Sequence, residues 1–194
     1  MAQRNGGIAL VRASGPNLVI QARLISGLPC SVAAKTLRWV RENEPVLRVL
    51  RIAPTRQAYP PTILGLFLEC TTARVDRFPP GCPLDKLATQ IANERFGRAV
   101  EHISLFLSPT GCVTPAHYDA NDVLVFQMRG SKMVAIADQP TVSDPQEDAL
   151  IENWSPGEAQ TFDLRRGDAV LIPRGCGHAT FSTHGSLTLG IGLL

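Results

Sequence analysis

From Glu101 onward, short apolar runs alternate with polar positions, and Gly or Pro cuts them every few residues. Eight runs carry this strand pattern: 103–108, 112–117, 123–128, 132–137, 160–164, 169–173, 178–182 and 186–193. Turn residues separate them at Pro109-Thr110-Gly111, Arg129-Gly130, Arg165-Arg166-Gly167 and His184-Gly185. Eight strands at this spacing predict a double-sheet jelly roll of the cupin kind. Upstream the texture is mixed. Residues 31–43 carry a loose helical stripe of Val32, Leu37 and Val40 behind a capping Ser31. Residues 83–96 repeat Leu84, Leu87, Ile91 and Phe96 at helical spacing, and Pro60-Pro61 and Pro79-Pro80 break the chain between the two stretches. The expected architecture is mainly β. It is read as one domain over 1–194, with an N-terminal α/β extension over 1–100 and a jelly-roll core over 101–194.

Composition narrows this picture only a little. The 194 residues are 44% hydrophobic and 19% charged, an ordinary globular balance. A net charge of +2 gives no basis for nucleic acid or membrane as a partner, and the apolar run 63–68 is far too short to span a bilayer. Arg4 and Arg12 are followed by no apolar leader segment, and the five cysteines show no CxxC pair or zinc-like spacing. The expected setting is the reducing cytoplasm. One segment is distinct in charge: no Lys or Arg falls between Met133 and Leu164, and its middle, 139–159, is too long for a hairpin turn. Two readings stand for it, a solvated excursion or a substrate-facing lid matched to a cationic group.

The chemistry centres on the run VTPAHYDAND. His117 and Asp119, two residues apart at a strand end, leave from one face and can meet one ion. A second imidazole is needed to complete a facial set. His178 supplies it at the end of GDAVLIPRGCGH. Two imidazoles and a carboxylate with open positions suit non-haem Fe(II), whereas structural zinc takes four closed ligands. Lys132, one of three lysines, and Thr114 are placed to neutralise the far carboxylate of a dicarboxylate co-substrate. His102 and His184 read as surface or structural residues.

The stretch VTPAHYDANDVLVFQMRGSK resembles the metal-binding core of the JmjC-type 2-oxoglutarate oxygenases, a group that includes asparaginyl and ribosomal-protein hydroxylases. The later stretch RRGDAVLIPRGCGHATFSTHGSLTLGIG is similar to that family's return strands and to the second cupin motif, with Ser182 where an Asn is expected. The resemblance implies iron on His117, Asp119 and His178, and 2-oxoglutarate held by Thr114 and Lys132. It further implies O₂ as co-reactant and hydroxylation of a protein or peptide side chain, with release of succinate and CO₂. Other readings stay open: tailoring of a free amino acid or natural product, a cupin isomerase or 2-oxoglutarate-independent dioxygenase, and a metal-free jelly-roll binding module.

Overall fold

The computed structural model describes residues 23–25, 38–40, 42–43, 48–52, 71–154 and 159–194. Ten strands form one curled sheet: β1 (Arg23–Ile25), β2 (Arg48–Ile52), β3 (Thr72–Asp76), β4 (Val100–Ser108), β5 (Val113–Tyr118), β6 (Asp122–Ala137), β7 (Ala149–Leu150), β8 (Ala159–Arg165), β9 (Ala169–Ile172) and β10 (His178–Leu193). The main path runs β1-β9-β6-β10-β4-β3-β2, with β5 joined to β10, β7 joined to β5 and β8 joined to β6. Every pairing is antiparallel. The fold is the expected mainly β, jelly-roll type. Of the helical stretch 31–43, residues 38–40 and 42–43 are helical, and the rest lies outside the described residues, as do Cys30 and Cys70.

Two features of the chain differ from the sequence expectation. The runs 123–128 and 132–137 belong to one continuous strand, β6, and 178–182 and 186–193 belong to another, β10. The turn signals between them mark bends. Gly130 has φ 73°, and a Cβ there would stand 2.0 Å from the Gly185 carbonyl oxygen on the neighbouring strand. Glycine at 130 therefore lets two adjacent strands bend together without a side chain between them. The ladder slips in register between Ser182 and Leu187 at the same place. Past the bend each strand enters the other half of the roll: β6 and β10 pair with β9 and β4 on one side and with β8 and β5 on the other.

The C-terminal half of β10 alternates strictly. Leu187, Leu189, Ile191 and Leu193 are buried in the main core, while Thr188 and Gly190 turn to the other face. Helix α1 (Pro83–Phe96) covers that core with Leu84, Leu87 and Ile91. Its ends are fixed locally. The Cys82 thiol accepts from the Asp85 amide, Pro83 opens the first turn, and Gly97 closes the helix in the left-handed region. A second cluster, including Val134, Ile136, Leu164 and Ile172, fills the other half.

This packing predicts a sharp contrast between two leucine-sized positions. Leu189 is fully buried, so Leu189→Ala is expected to lower stability by about 2–5 kcal/mol. Met133 is 38% exposed, and Met133→Ala is expected to cost under about 1 kcal/mol. Denaturant unfolding with both midpoint and slope fitted checks the pair.

Candidate active site

Strand β5 opens Val113-Thr114-Pro115 and ends just before Asp119. In a regular strand residues three apart face opposite ways, yet both Thr114 and His117 line the same cavity. The ladder explains this. His117 pairs with His178, and Thr114 pairs with Thr180, so three residues on β5 span two on β10. The extra residue is taken up by a bulge, which re-aims His117 inward. Pro115 lies within it, where a missing backbone donor costs the ladder nothing. Asp119 follows His117 by two and returns to the same face.

His178 is thereby placed beside His117, with ring centroids 4.1 Å apart. Its Nε2 lies 3.5 Å from Asp119 Oδ2, and His117 Nε2 lies 4.0 Å from Asp119 Oδ1. One donor atom from each of the three residues falls within 4.8 Å of the others. Both rings are oriented by the backbone: His117 Nδ1 donates to the Pro115 carbonyl at 2.8 Å and His178 Nδ1 to the Cys176 carbonyl at 3.0 Å. A ring that gives its Nδ1 proton to a carbonyl keeps the Nε2 lone pair free for a metal. Burial pushes the His178 pKa down to about 3, with the neighbouring His117 acting in the same direction and the Cys176 carbonyl against it. The ring is thus neutral at any ordinary pH. Burial raises the Asp119 pKa, against the lowering effect of His117. Two imidazoles and one carboxylate on one side of a cavity fit a divalent ion with open positions, as non-haem iron requires.

The turn before His178 holds the Asp119 backbone in place. Gly175 donates its amide to the Asp119 carbonyl at 2.9 Å, and its own carbonyl accepts from the Thr141 and Val142 amides. With φ 72° and the Val142 carbonyl oxygen 2.0 Å from any added Cβ, only glycine fits at 175. The start of the acidic segment is therefore docked on the same turn as the ligand loop.

The three donors open into a cavity of about 470 Å³. Thr114 and Lys132 line it too. Lys132 is 2% exposed, and its ammonium forms an ion pair with no carboxylate among the described residues. Burial pushes its pKa down to about 8, with Cys112 acting in the opposite direction. Ser182, standing where the cupin motif has Asn, is fully buried and donates to the Ser108 carbonyl at 3.3 Å.

Several cavity residues were given no role at the site by the sequence. Arg74 comes from β3, in a stretch without a motif. Thr188 comes from the polar face of β10, which the alternation marked without saying what it faces. His102, read as a surface residue, lines the cavity with its ring over Gly192. Asp148 is where the acidic segment reaches the site; its Oδ1 accepts from the Ala120 amide at 2.8 Å. Trp154 packs beside Gly177, and Asp122 ties the chain to Arg98 and the Arg174 amide; neither lines the cavity. His184 bonds Ser131 at the bend. No helix among the described residues is long and apolar enough to cross a membrane.

Comparison with known proteins adds the following. Two solved structures of Escherichia coli YcfD share the fold at 15% identity. One has a TM-score of 0.51 over 64% of this chain and 33% of that one, and the other, described as a ribosomal oxygenase, 0.50 over 76% and 39%. A third, of YcfD in complex with cobalt and 2-oxoglutarate, gives 0.50 at 16% identity over 76% and 39%. The chain thus spans no more than about two fifths of that protein's length. No curated protein matches the sequence. The family model described as the JmjC domain matches residues 84–194, more than half of the chain. From α1 through the last residue of the roll, this chain belongs to the JmjC domain family.

Proposed function

We propose that the protein is an Fe(II)- and 2-oxoglutarate-dependent oxygenase that hydroxylates a side chain of a protein or peptide. The observation that carries this reading is the pairing, in one cavity, of a His-Asp-His donor set with a buried ammonium that lacks an internal counter-charge. A buried cation without a carboxylate is costly, and an anionic ligand removes that cost.

In this reading His117, Asp119 and His178 hold the iron through Nε2, a carboxylate oxygen and Nε2. Bound there, the iron supplies the oxidation of a substrate C–H by O₂, coupled to conversion of 2-oxoglutarate to succinate and CO₂. Lys132 and the Thr114 hydroxyl receive the C5 carboxylate and so fix how far the co-substrate enters. The Phe106 ring, which the Lys132 ammonium overlies, keeps bulk water from that end. Asp148, exposed on the cavity and fixed through the Ala120 amide, is placed to meet a cationic group on the substrate. A succinate-release screen with Fe(II), O₂ and 2-oxoglutarate against peptides and free amino acids tests the reaction. Aerobic incubation that yields no succinate above the metal-free control would favour an isomerase or a binding module instead.

The donor set and the co-substrate position separate by mutation. His117→Ala and Asp119→Ala are expected to weaken metal binding by more than about a hundredfold, read by metal analysis of protein purified without oxygen. Lys132→Met is expected to keep the metal and to weaken 2-oxoglutarate binding by about thirtyfold or more, the loss of one charge-assisted contact of about 2 kcal/mol.

The Lys132 pKa gives a pH prediction with a definite sign. The folded value is lowered from 10.5 to about 8, so the empty protein binds fewer protons than the unfolded chain between those two values. This group therefore lowers stability below pH 8, and the cost is relieved as pH rises toward 10.5. Binding of 2-oxoglutarate favours the ammonium, so its affinity is expected to fall by about tenfold from pH 7 to 9, with proton uptake at the upper end. Calorimetry in buffers of different ionisation enthalpy measures both, and a flat profile would remove Lys132 from this role.

A further inference from the structure

The cavity holds a second cation that the roles above leave unused. Arg74 stands on β3 directly across from Phe106 on β4. Its guanidinium carbon is 5.8 Å from the Phe106 ring centroid, and the Lys132 ammonium is 5.6 Å from the same centroid. One aromatic ring thus steadies both cavity cations. The two differ in depth. Lys132 is 2% exposed, whereas the Arg74 side chain is 30% exposed, so Arg74 lies nearer the opening.

Arg74 is held by one edge only. Its Nε donates to Asp76 Oδ1 at 3.0 Å, and Ser104 donates to that same oxygen at 2.7 Å, which fixes the carboxylate that fixes the guanidinium. The two terminal nitrogens bond nothing among the described residues. They form the planar fork that suits a carboxylate with two parallel bonds. The charge also reaches the metal end of the cavity, where Arg74 favours the ionised form of Asp119 and Asp148 opposes it. 2-Oxoglutarate has only two carboxylates, and the reading above gives one to the metal and the other to Lys132.

We propose that Arg74 receives a carboxylate of the substrate and so restricts turnover to molecules that carry one near the oxidised carbon. The inference rests on the oxygenase reading and adds the substrate's chemical class. Asp148, on the other wall, would face an ammonium of the same molecule. A carboxylate can come from a free α-amino acid or from a peptide, by an acidic side chain or the C-terminus.

The test uses full-length protein loaded with Mn(II) and 2-oxoglutarate in the absence of oxygen, so that binding is read without turnover. Calorimetry first measures 2-oxoglutarate affinity, and failure at this step removes the oxygenase reading itself. The loaded protein is then titrated with α-amino acids, their carboxamides, and peptides with free or amidated C-termini and with or without an acidic side chain. At least one carboxylate is expected to bind, with its carboxamide about tenfold or more weaker. Arg74→Gln is expected to lose the same factor for the carboxylate, to leave the carboxamide unchanged, and to keep 2-oxoglutarate affinity within about threefold. Should Arg74→Gln melt at a lower temperature than the parent, Arg74→Lys carries the comparison, since it keeps the charge and removes the fork. Which probes respond separates a free amino acid from a peptide source. Equal binding of carboxylate and carboxamide overturns the proposal, as does a panel in which no carboxylate binds to protein that holds 2-oxoglutarate. An Arg74→Gln loss that falls on 2-oxoglutarate at unchanged melting temperature overturns it too.

Discussion

The site depends on one extra residue in β5. Because three residues there span two on β10, Thr114 and His117 both face inward, and His178 stands across the ladder from His117. A backbone feature, and not a flexible loop, brings donors more than sixty positions apart in the chain into one set. The local backbone orients both rings, since each imidazole donates to the carbonyl two residues upstream, Pro115 on β5 and Cys176 in the turn before β10. The geometry of the His-Asp-His donor set is therefore a property of the backbone.

Burial then divides the labour among the charged groups. The same desolvation that keeps His178 neutral, and fit to donate a lone pair, makes the Lys132 ammonium costly. The first effect suits the proposed metal site and the second the proposed carboxylate site, and both follow from lining one cavity with strands that pack into the core. Arg74 and Asp148 stand nearer the opening, where water screens charge.

The sequence showed the parts of the site whose spacing is local. His117 and Asp119 are two apart on one strand, Lys132 opens an alternating run, and the Pro/Gly turn before His178 has its own signature. What it hid depends on topology. Gly130 and Gly185 carry ordinary turn signals, and only their side-by-side placement turns two hairpins into two bends. Thr188 and His102 sit on faces that alternation defines without naming what lies opposite. Arg74 enters the cavity because β3 pairs with β4, a contact thirty-two residues distant in the chain at Phe106 that no periodicity encodes.

The two bent strands tie the halves of the roll into one cooperative unit. β6 and β10 each pass from the leucine-rich core under α1 to the wall that carries Lys132 and His178. Opening the cavity at His178 by local fraying would require these central strands to leave their neighbours on both sides. Amide protons around residue 178 should then exchange only through whole-molecule opening, while β7, held by two residue pairs against β5, frays independently. His178 is thus anchored on a strand flanked on both sides, and the mobility that substrate entry needs falls to the rim, where β7 lies against His117.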